Sequence, residues 1–360
     1  MNRILQVSDA GSVHTRRWAE HHRDQGLKVH VASLREASIP GVSVHVLPTF
    51  GLGRAGYLLA VPALRALARR IQPDIVHAQY VTSYGFIAAL AHLHPLVITA
   101  WGTDVLIGPK ESRLARFLAS YAIRHADAVT TVAEHMNAAV AALGVDMSAV
   151  IAVPLGVDAQ QFRPPSSPRL PRATLRLICT RNFGPIYDIC TLVSAVERLA
   201  RKGLRLNVDL VGDGPLRAGI ETHIRDAGVT SMFELHGRVD HARLAKLLAQ
   251  ADIFVTPALS DGNNVSLNEA MACGCFPIGT DIPANRQWLE HGVNGLLYPP
   301  GDPDALADCI LRSAADSAWR DRAALTNRAI IKQRADWHIC VARMHEIYAN
   351  AITRAARCQL

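Results

Sequence analysis

The sequence predicts an α/β chain of two doubly wound domains, each on a parallel sheet, with a helical tail at the C-terminus. Three observations predict it. Short apolar runs alternate with amphipathic helical patterns from Arg3 to Gly279, the order a parallel sheet with covering helices requires. The alternation breaks once, at Arg163–Arg172 (RPPSSPRLPR), where four prolines and no apolar periodicity mark a linker. The chain is 360 residues, 49% apolar and 19% charged, enough for two full cores.

In the first half, Arg3–Val7 is a short apolar strand, Ser8–Ser12 a turn around Gly11, and His14–Gln25 an amphipathic helix that stops at Gly26. Leu27–Ser33, Val42–Leu47, Ile75–Ala78, Leu96–Ala100, Ala128–Val132 and Val150–Pro154 continue as strands. Helical patterns lie between most of them, at Tyr57–Arg70, Tyr84–His92, Leu114–His125 and Glu134–Leu143. Beyond the linker the strands are Leu175–Thr180, Leu206–Val211, Met232–His236, Ile253–Thr256 and Phe276–Gly279. Their helices are Thr191–Arg201, Leu216–Ala227, Ala242–Gln250 and Val265–Ala272, and past Asp302 the chain is helical nearly to its end. The expected domains are 1–163 and 173–336, joined by a linker at 164–172, with a tail at about 337–360 packing back on the first.

Composition excludes several classes. The net charge of +7 is spread over both halves, and no dense basic run or nucleic-acid signature occurs. No apolar run reaches the 18 or so residues of a membrane span, and the N-terminus reads as a strand and turn, not a leader. Seven cysteines, with Cys273 and Cys275 one residue apart, fit neither a zinc knuckle nor a redox pair. The expectation is reduced thiols in a cytoplasmic protein. His21–His22 and His92-x-His94 read as surface or helix-end residues. One region is less even: Ala37–Pro73 has no acid. Its helix carries Leu58, Leu59, Val61, Leu64 and Leu67 beside Arg65, Arg69 and Arg70, a pattern compatible with peripheral association on an anionic membrane or with a sheet-covering helix.

The most informative stretch is Thr256–Tyr298. A buried strand ends at Thr256, a polar loop (SDGNN) follows, and the helix Val265–Ala272 opens from it. The first N–H groups of that helix, at Asn264, Val265 and Ser266, point into the loop, where phosphate oxygens bind well. Gly262 allows close backbone approach, and Asn263 lies beside it. Asp261 in the loop and Glu269 a turn into the helix are acceptors for sugar hydroxyls. Taken singly, each acid reads more readily as a solvated turn or helix residue than as a ligand.

Taken whole, the stretch resembles the donor-site signature of the GT-B glycosyltransferases of family 4: an acid, seven residues, Glu, a small-residue helix and Gly. Here it runs Asp261, Gly262–Asn268, Glu269, Ala270–Gly274, and Asn294–Leu306 (NGLLYPPGDPDAL) also fits. The family usually has Glu first, so Asp261 is a one-methylene departure of an SDG branch. The resemblance covers nearly the whole chain and implies two Rossmann-like domains facing a cleft. It implies that Asp261 orients the donor sugar and Glu269 binds ribose, with Gly262, Asn263, Asn264, Val265 and Ser266 lining the donor loop. LVGDGPLR (Leu210–Arg217) brings Gly212 near the nucleotide, and Gly11 matches a Gly-rich loop near donor phosphates and acceptor. In CTRNFGPIYD (Cys179–Asp188), Arg181 matches a diphosphate-binding Arg, but Ile186 stands where a Lys is usual. TAWGTDV (Thr99–Val105) has Trp101 where many relatives have His near the sugar. The resemblance places Trp101 and Asp104 at the acceptor or sugar; from the residues alone, Trp101 either stacks on a sugar face or simply packs.

The resemblance implies a retaining transferase moving a sugar, UDP-linked by expectation, to a hydroxyl of a glycan, lipid-linked or small-molecule acceptor. Neither metal nor cofactor is implied, since no DxD-type pair is evident. Alternatives are a UDP-sugar hydrolase or epimerase, a sugar-nucleotide sensor, or an NAD-type oxidoreductase using the literal G-x-G-x-x-G at Gly51–Gly56. The last is disfavoured because Pro48, Thr49 and Phe50 separate strand from glycines.

Overall fold

The computed structural model describes residues 1–165 and 174–357. The chain divides into two compact units, Met1–Leu155 with Val341–Leu360, and Gly156–Cys340.

The first unit holds a seven-stranded sheet. Its strands are β1 (Arg3–Val7), β2 (Lys28–Ser33), β3 (Ser43–Val46), β4 (Ile75–Gln79), β5 (Leu96–Ala100), β6 (Ala128–Thr131) and β7 (Val150–Ala152), in the order β3-β2-β1-β4-β5-β6-β7. Every pairing is parallel. In β4 and β5 every residue is buried, as a sheet covered on both faces demands. The helix Val13–Asp24 starts on Ser12, whose Oγ accepts from the His14 N–H. The helix Tyr57–Ile71 turns Val61, Leu64 and Leu67 into the core and leaves Leu58 and Leu59 exposed. Most of the apolar stripe considered for a membrane surface is therefore core. Residues from Val341 on belong to this unit, where the Tyr348 hydroxyl meets His77 Nδ1 at 2.7 Å.

The second unit repeats the plan with β8 (Leu175–Cys179), β9 (Leu206–Val211), β10 (Phe233–Gly237), β11 (Ile253–Thr256), β12 (Phe276–Thr280) and β13 (Leu296–Tyr298). Their order is β10-β9-β8-β11-β12-β13, again all parallel. The sequence pattern missed β13, whose three residues are too few to show a period. The division between units falls at Leu155/Gly156, ahead of the expected boundary at 163. Val157 pairs with Asp336, and Phe162 is buried among second-unit residues, so 156–162 already pack there. Of the expected linker, 166–172 lie outside the described residues.

Counted within each unit, both sheets have the order 3-2-1-4-5-6, with one further strand in the first. Strand order reverses between β1 and β4, and between β8 and β11. Ligands of open α/β sheets bind outside the carboxyl ends of the strands at such reversals. The Gly51–Gly56 motif lies elsewhere: it follows β3, an edge strand, and Gly53–Gly56 forms one 3-10 turn leading into a helix. A dinucleotide loop should follow the first, central strand, so the oxidoreductase alternative loses its motif.

Candidate functional site

At the second unit's reversal point, Arg181 follows β8 by two residues and Asp261 lies in the loop after β11. Arg181 is 7% exposed, and a buried guanidinium needs compensation for its lost hydration. Three groups supply it. Nη2 donates to Asp261 Oδ2, Nη1 donates to Asn264 Oδ1 at 2.7 Å, and the Tyr187 ring centroid lies 4.5 Å from Cζ. Nε is buried with no acceptor among the described residues. Arg181 and Asp261, two separate expectations from sequence, thus form one ion pair joining the two loops of the reversal point.

Asn264 is the organising residue. Fully buried, it caps the helix Val265–Ala272 by accepting from the Leu267 N–H at 3.1 Å. Its Nδ2 donates to Thr256 Oγ1 at 3.1 Å and Asn285 Oδ1 at 2.9 Å. Its side-chain amide is occupied at both ends: it holds Arg181 and the helix start. The expected free N–H of Val265 is also occupied, donating to the Asn263 carbonyl at 2.9 Å. Asn263 Oδ1 accepts from Trp288 Nε1, and its buried Nδ2 has no partner among the described residues. Ser266 fastens the helix start to β8 through its hydroxyl, which donates to the Thr180 carbonyl at 3.0 Å. Gly262 is buried between Asp261 and Asn263, and Glu269 is 8% exposed in the second helical turn.

Gly212 sits at the end of β9 with φ +148°, and a Cβ there would stand 2.2 Å from the Arg181 carbonyl oxygen. The turn needs glycine because it packs on the backbone that presents Arg181. The Phe183 N–H donates to the Asp213 carbonyl at 3.1 Å, completing the contact. Sequence reasoning missed Tyr187 and Asn285. Tyr187 was visible in PIY, but its ring-on-Arg contact depends on the 3-10 turn Pro185–Tyr187. Asn285, fully buried, comes from a separate short helix, Pro283–Arg286, and no spacing announces it.

The first unit's reversal point is built differently. Asp104, expected at a sugar, is 1% exposed and accepts from the backbone N–H groups of Val81 (2.8 Å), Gly102 (2.8 Å) and Trp101 (3.1 Å). Burial pushes its carboxyl above the usual carboxylate range, while those N–H bonds pull the other way. It is a clamp between the loops after β4 and β5, which corrects its expected contact role. The clamped backbone is unusual: Tyr80 has φ +78° and Gly102 φ +147°. Tyr80 and Trp101, so held, line a pocket of about 380 Å³ together with Asp9 and Gln79. The edge of His14 meets Trp101 with centroids 5.6 Å apart. Gly11 is exposed beside this pocket, its N–H donating to Asp9 Oδ1 at 2.9 Å.

Asp209, Glu234 and His236 form the one group among the described residues with metal-ligand proximity, away from both reversal points on β9 and β10. Arg176 forks onto Asp209 at 2.6 and 3.0 Å, and His236 Nε2 lies 2.7 Å from it, so these groups already compensate one another.

Residues 3–133 match the family described as glycosyl transferase 4-like, and residues 174–316 match glycosyl transferases group 1. D-inositol 3-phosphate glycosyltransferase of Xylanimonas cellulosilytica is 29% identical over 352 residues, 88% of this chain and 83% of that protein. The amylovoran biosynthesis glycosyltransferase AmsK of Erwinia amylovora is 26% identical over 57% of this chain, and the match spans about half of that relative, 52%. Among solved structures, sucrose-phosphate synthase of Thermosynechococcus elongatus superposes with TM-score 0.85 at 20% identity, covering 98% of this chain and 100% of that one. Anabaena HepE in complex with UDP and glucose gives 0.81 at 19%, covering 97% and 100%. These matches carry none of the hydrolase, epimerase, oxidoreductase or sensor alternatives. With both halves matched to sugar-transferring families and both sheets in the same doubly wound order, the chain belongs to the GT-B glycosyltransferases of family 4, enzymes that take a sugar from a nucleotide-sugar donor.

Proposed function

We propose that the chain is a retaining transferase that binds a UDP-linked sugar at the second unit's reversal point and moves the sugar to an acceptor hydroxyl. The observation that carries this is the buried Arg181, held by Asp261 and Asn264 at the reversal point between β8 and β11. When the bond from the sugar to the diphosphate breaks, the leaving group gains negative charge, and a preorganised guanidinium lowers the barrier. Asp261 then has two tasks, orienting the donor sugar and holding Arg181. Glu269 takes the ribose, and Gly262 and Ser266 form the backbone edge of the loop. Retention and front-face attack come with the family resemblance. The reading needs no metal, since Arg181 and the helix start supply positive charge, and the rate should persist in EDTA.

HepE is solved in complex with UDP and glucose, which supports UDP as the nucleotide here. Leu58 and Leu59, with Phe50 and Leu52 from the same acid-free segment, are each more than 40% exposed, which supports a peripheral contact with anionic lipid. No helix among the described residues is long and apolar enough to cross a membrane. Pelleting with anionic but not neutral vesicles is the expected result, and equal pelleting ends that part.

A thermal-shift panel of UDP-, GDP- and ADP-sugars tests the main reading. UDP-sugars should raise Tm, because ligand binding to the folded state stabilises by mass action. A shift with none of the panel would sink the assignment of this site to a nucleotide sugar.

A further inference from the structure

The first unit's pocket has a chemistry that selects among acceptors. Four aromatic residues line it: Tyr57, Tyr80, Tyr84 and Trp101. Its volume of about 380 Å³ is near the lower end of the roughly 300–1,000 Å³ typical of small-molecule sites. Arg35 and Asp9 are its charged lining residues, and they lie 3.5 Å apart, so the wall is formally neutral. The Arg35 side chain is 79% exposed, which places its charge in water at the rim, where screening weakens it. At the base, Gln79 is 2% exposed. Its Oε1 accepts from the Ser8 and Thr15 hydroxyls at 2.9 and 3.3 Å, and its Nε2 has no partner among the described residues. Trp101 Nε1 is likewise without an acceptor among them.

We propose that this pocket seats an uncharged sugar ring, the acceptor end of a glycan, with Trp101 as the stacking surface and Gln79 and Asp9 on its hydroxyls. The proposal rests on the transferase reading above. A pyranose has apolar C–H faces and a polar rim; aromatic walls with a buried amide at the base match both. A phosphate or carboxylate on the ring would call for an uncommitted, desolvated cation, preferably a forked Arg. Arg35 is neither buried nor unpaired. A lipid chain would find a buried amide donor and a carboxylate where it needs only apolar wall.

The test is saturation-transfer NMR on the full chain, with saturating UDP present to occupy the donor site. The probes are neutral methyl hexosides, glucuronate and glucose 6-phosphate. Neutral hexosides should receive saturation, with the charged sugars at least about fivefold weaker. Trp101→Ala should weaken the neutral signal about tenfold, the scale of one lost aromatic contact. Trp101→Phe should restore most of it, and Arg35→Ala should leave it within about twofold. Melting curves check that each variant folds. Stronger binding of the charged sugars, lost in Arg35→Ala, would overturn the proposal, as would no transfer to any neutral hexoside. UDP affinity, measured by calorimetry, separates the two readings. UDP binding without hexoside binding removes the pocket assignment and spares the transferase. Hexoside binding through Trp101 with no affinity for UDP or any nucleotide sugar supports a neutral-sugar pocket and removes the transferase reading.

Discussion

At the end of β8 a buried guanidinium lies among a carboxylate, an amide and a phenol ring. At the corresponding place after β1 and β4, aromatic rings surround a buried amide, and the charged residues cancel at the rim. The strand orders are the same, so topology gives both units a place to bind and leaves the chemistry to the loops. The difference follows what each ligand needs. A nucleotide sugar brings a diphosphate whose charge grows as the bond breaks, and a desolvated, preorganised cation is most valuable there. A neutral acceptor brings C–H faces and hydroxyls. The second unit accordingly carries the larger electrostatic consequences on mutation.

The sharpest way to break this comparison is Arg181→Ala. The expected loss in kcat is about a hundredfold or more, the scale of removing one preorganised charge-stabilising donor. The acceptor KM should hardly move, because the acceptor pocket shares no residue with this cluster. Arg181→Lys should recover only part: an ammonium has no planar fork to span Asp261 and Asn264 together. Some loss of Tm is expected in the Ala variant, since Asp261 is left without its partner while only 17% exposed. Near-normal kcat in the Ala variant would reduce the Arg181–Asp261 pair to a structural clasp.

Next in size is Glu269→Gln. If Glu269 accepts ribose hydroxyls, losing one charged hydrogen bond costs roughly 1.5–3 kcal/mol, about ten- to a hundredfold in UDP affinity. Calorimetry with UDP reads this directly, and hexoside binding to the first unit should not respond. Unchanged UDP affinity takes Glu269 out of the donor site.

Sequence alone made the fold, including the strand, loop and helix of Ile253–Ala272, legible for a physical reason. The parallel strands are short apolar runs, and β4, β5, β11 and β12 are buried at every residue, so hydrophobicity marks them without ambiguity. The helix Val265–Ala272 begins and ends where the pattern places it, because Asn264 caps it and Gly274 takes φ +76° just past it. What failed was the assignment of individual polar side chains to ligand or scaffold. Asp104 looks like a site residue in a list of motifs, but its contacts turn it inward, onto backbone N–H groups, and no motif announces that the Asn264 side chain holds Arg181. Asn285 and Tyr187 reach the cluster from segments whose local patterns say nothing of Arg181. Spacing reports which face a residue is on; it does not report whether a buried amide's partner is a ligand or another amide.

A third expectation uses a buried imidazole cluster of the first unit. His22 and His77 are each at most 1% exposed, and burial lowers them from 6.5 to about 2 and about 3. The rings of His345, His21 and Tyr348 lie 5.5–6.1 Å from that of His22, and Gln6 Nε2 is 3.3 Å from its Nδ1. Burial also lowers His345. The folded state holds these rings neutral while the unfolded chain protonates them near 6.5. The unfolded state therefore binds more protons, and their contribution, present above 6.5, is lost as pH falls from 6.5 towards about 3. Going from about pH 7 to 5 should cost on the order of 1–2 kcal/mol for each of His22 and His77. Hydrogen exchange at the two pH values should show protection falling in β1 and β4 before β8 and β11. Equal loss in both sheets would mean that the cluster does not set the acid limit.

The smallest expected effect concerns how the donor site manages with Ile186 where a Lys is usual in the family. Among the described residues the Tyr187 ring lies against Arg181, 4.5 Å from Cζ. A ring face holds a guanidinium in place without adding a second carboxylate to the one Asp261 already supplies. Tyr187→Leu removes the ring quadrupole and keeps apolar bulk. At the low end of cation–π strengths, about 0.5–1 kcal/mol, this predicts a rise of roughly two- to fivefold in donor KM. Tyr187→Phe, which retains the ring, should stay close to wild type. The order of the two variants matters more than the size. If Phe is as impaired as Leu, the phenol hydroxyl and not the ring is what the site uses, and the compensation for the missing Lys must be sought in hydrogen bonding. If neither changes KM while Arg181→Lys still fails, Asp261 and Asn264 alone hold the guanidinium, and the ring serves only to close the 3-10 turn over it.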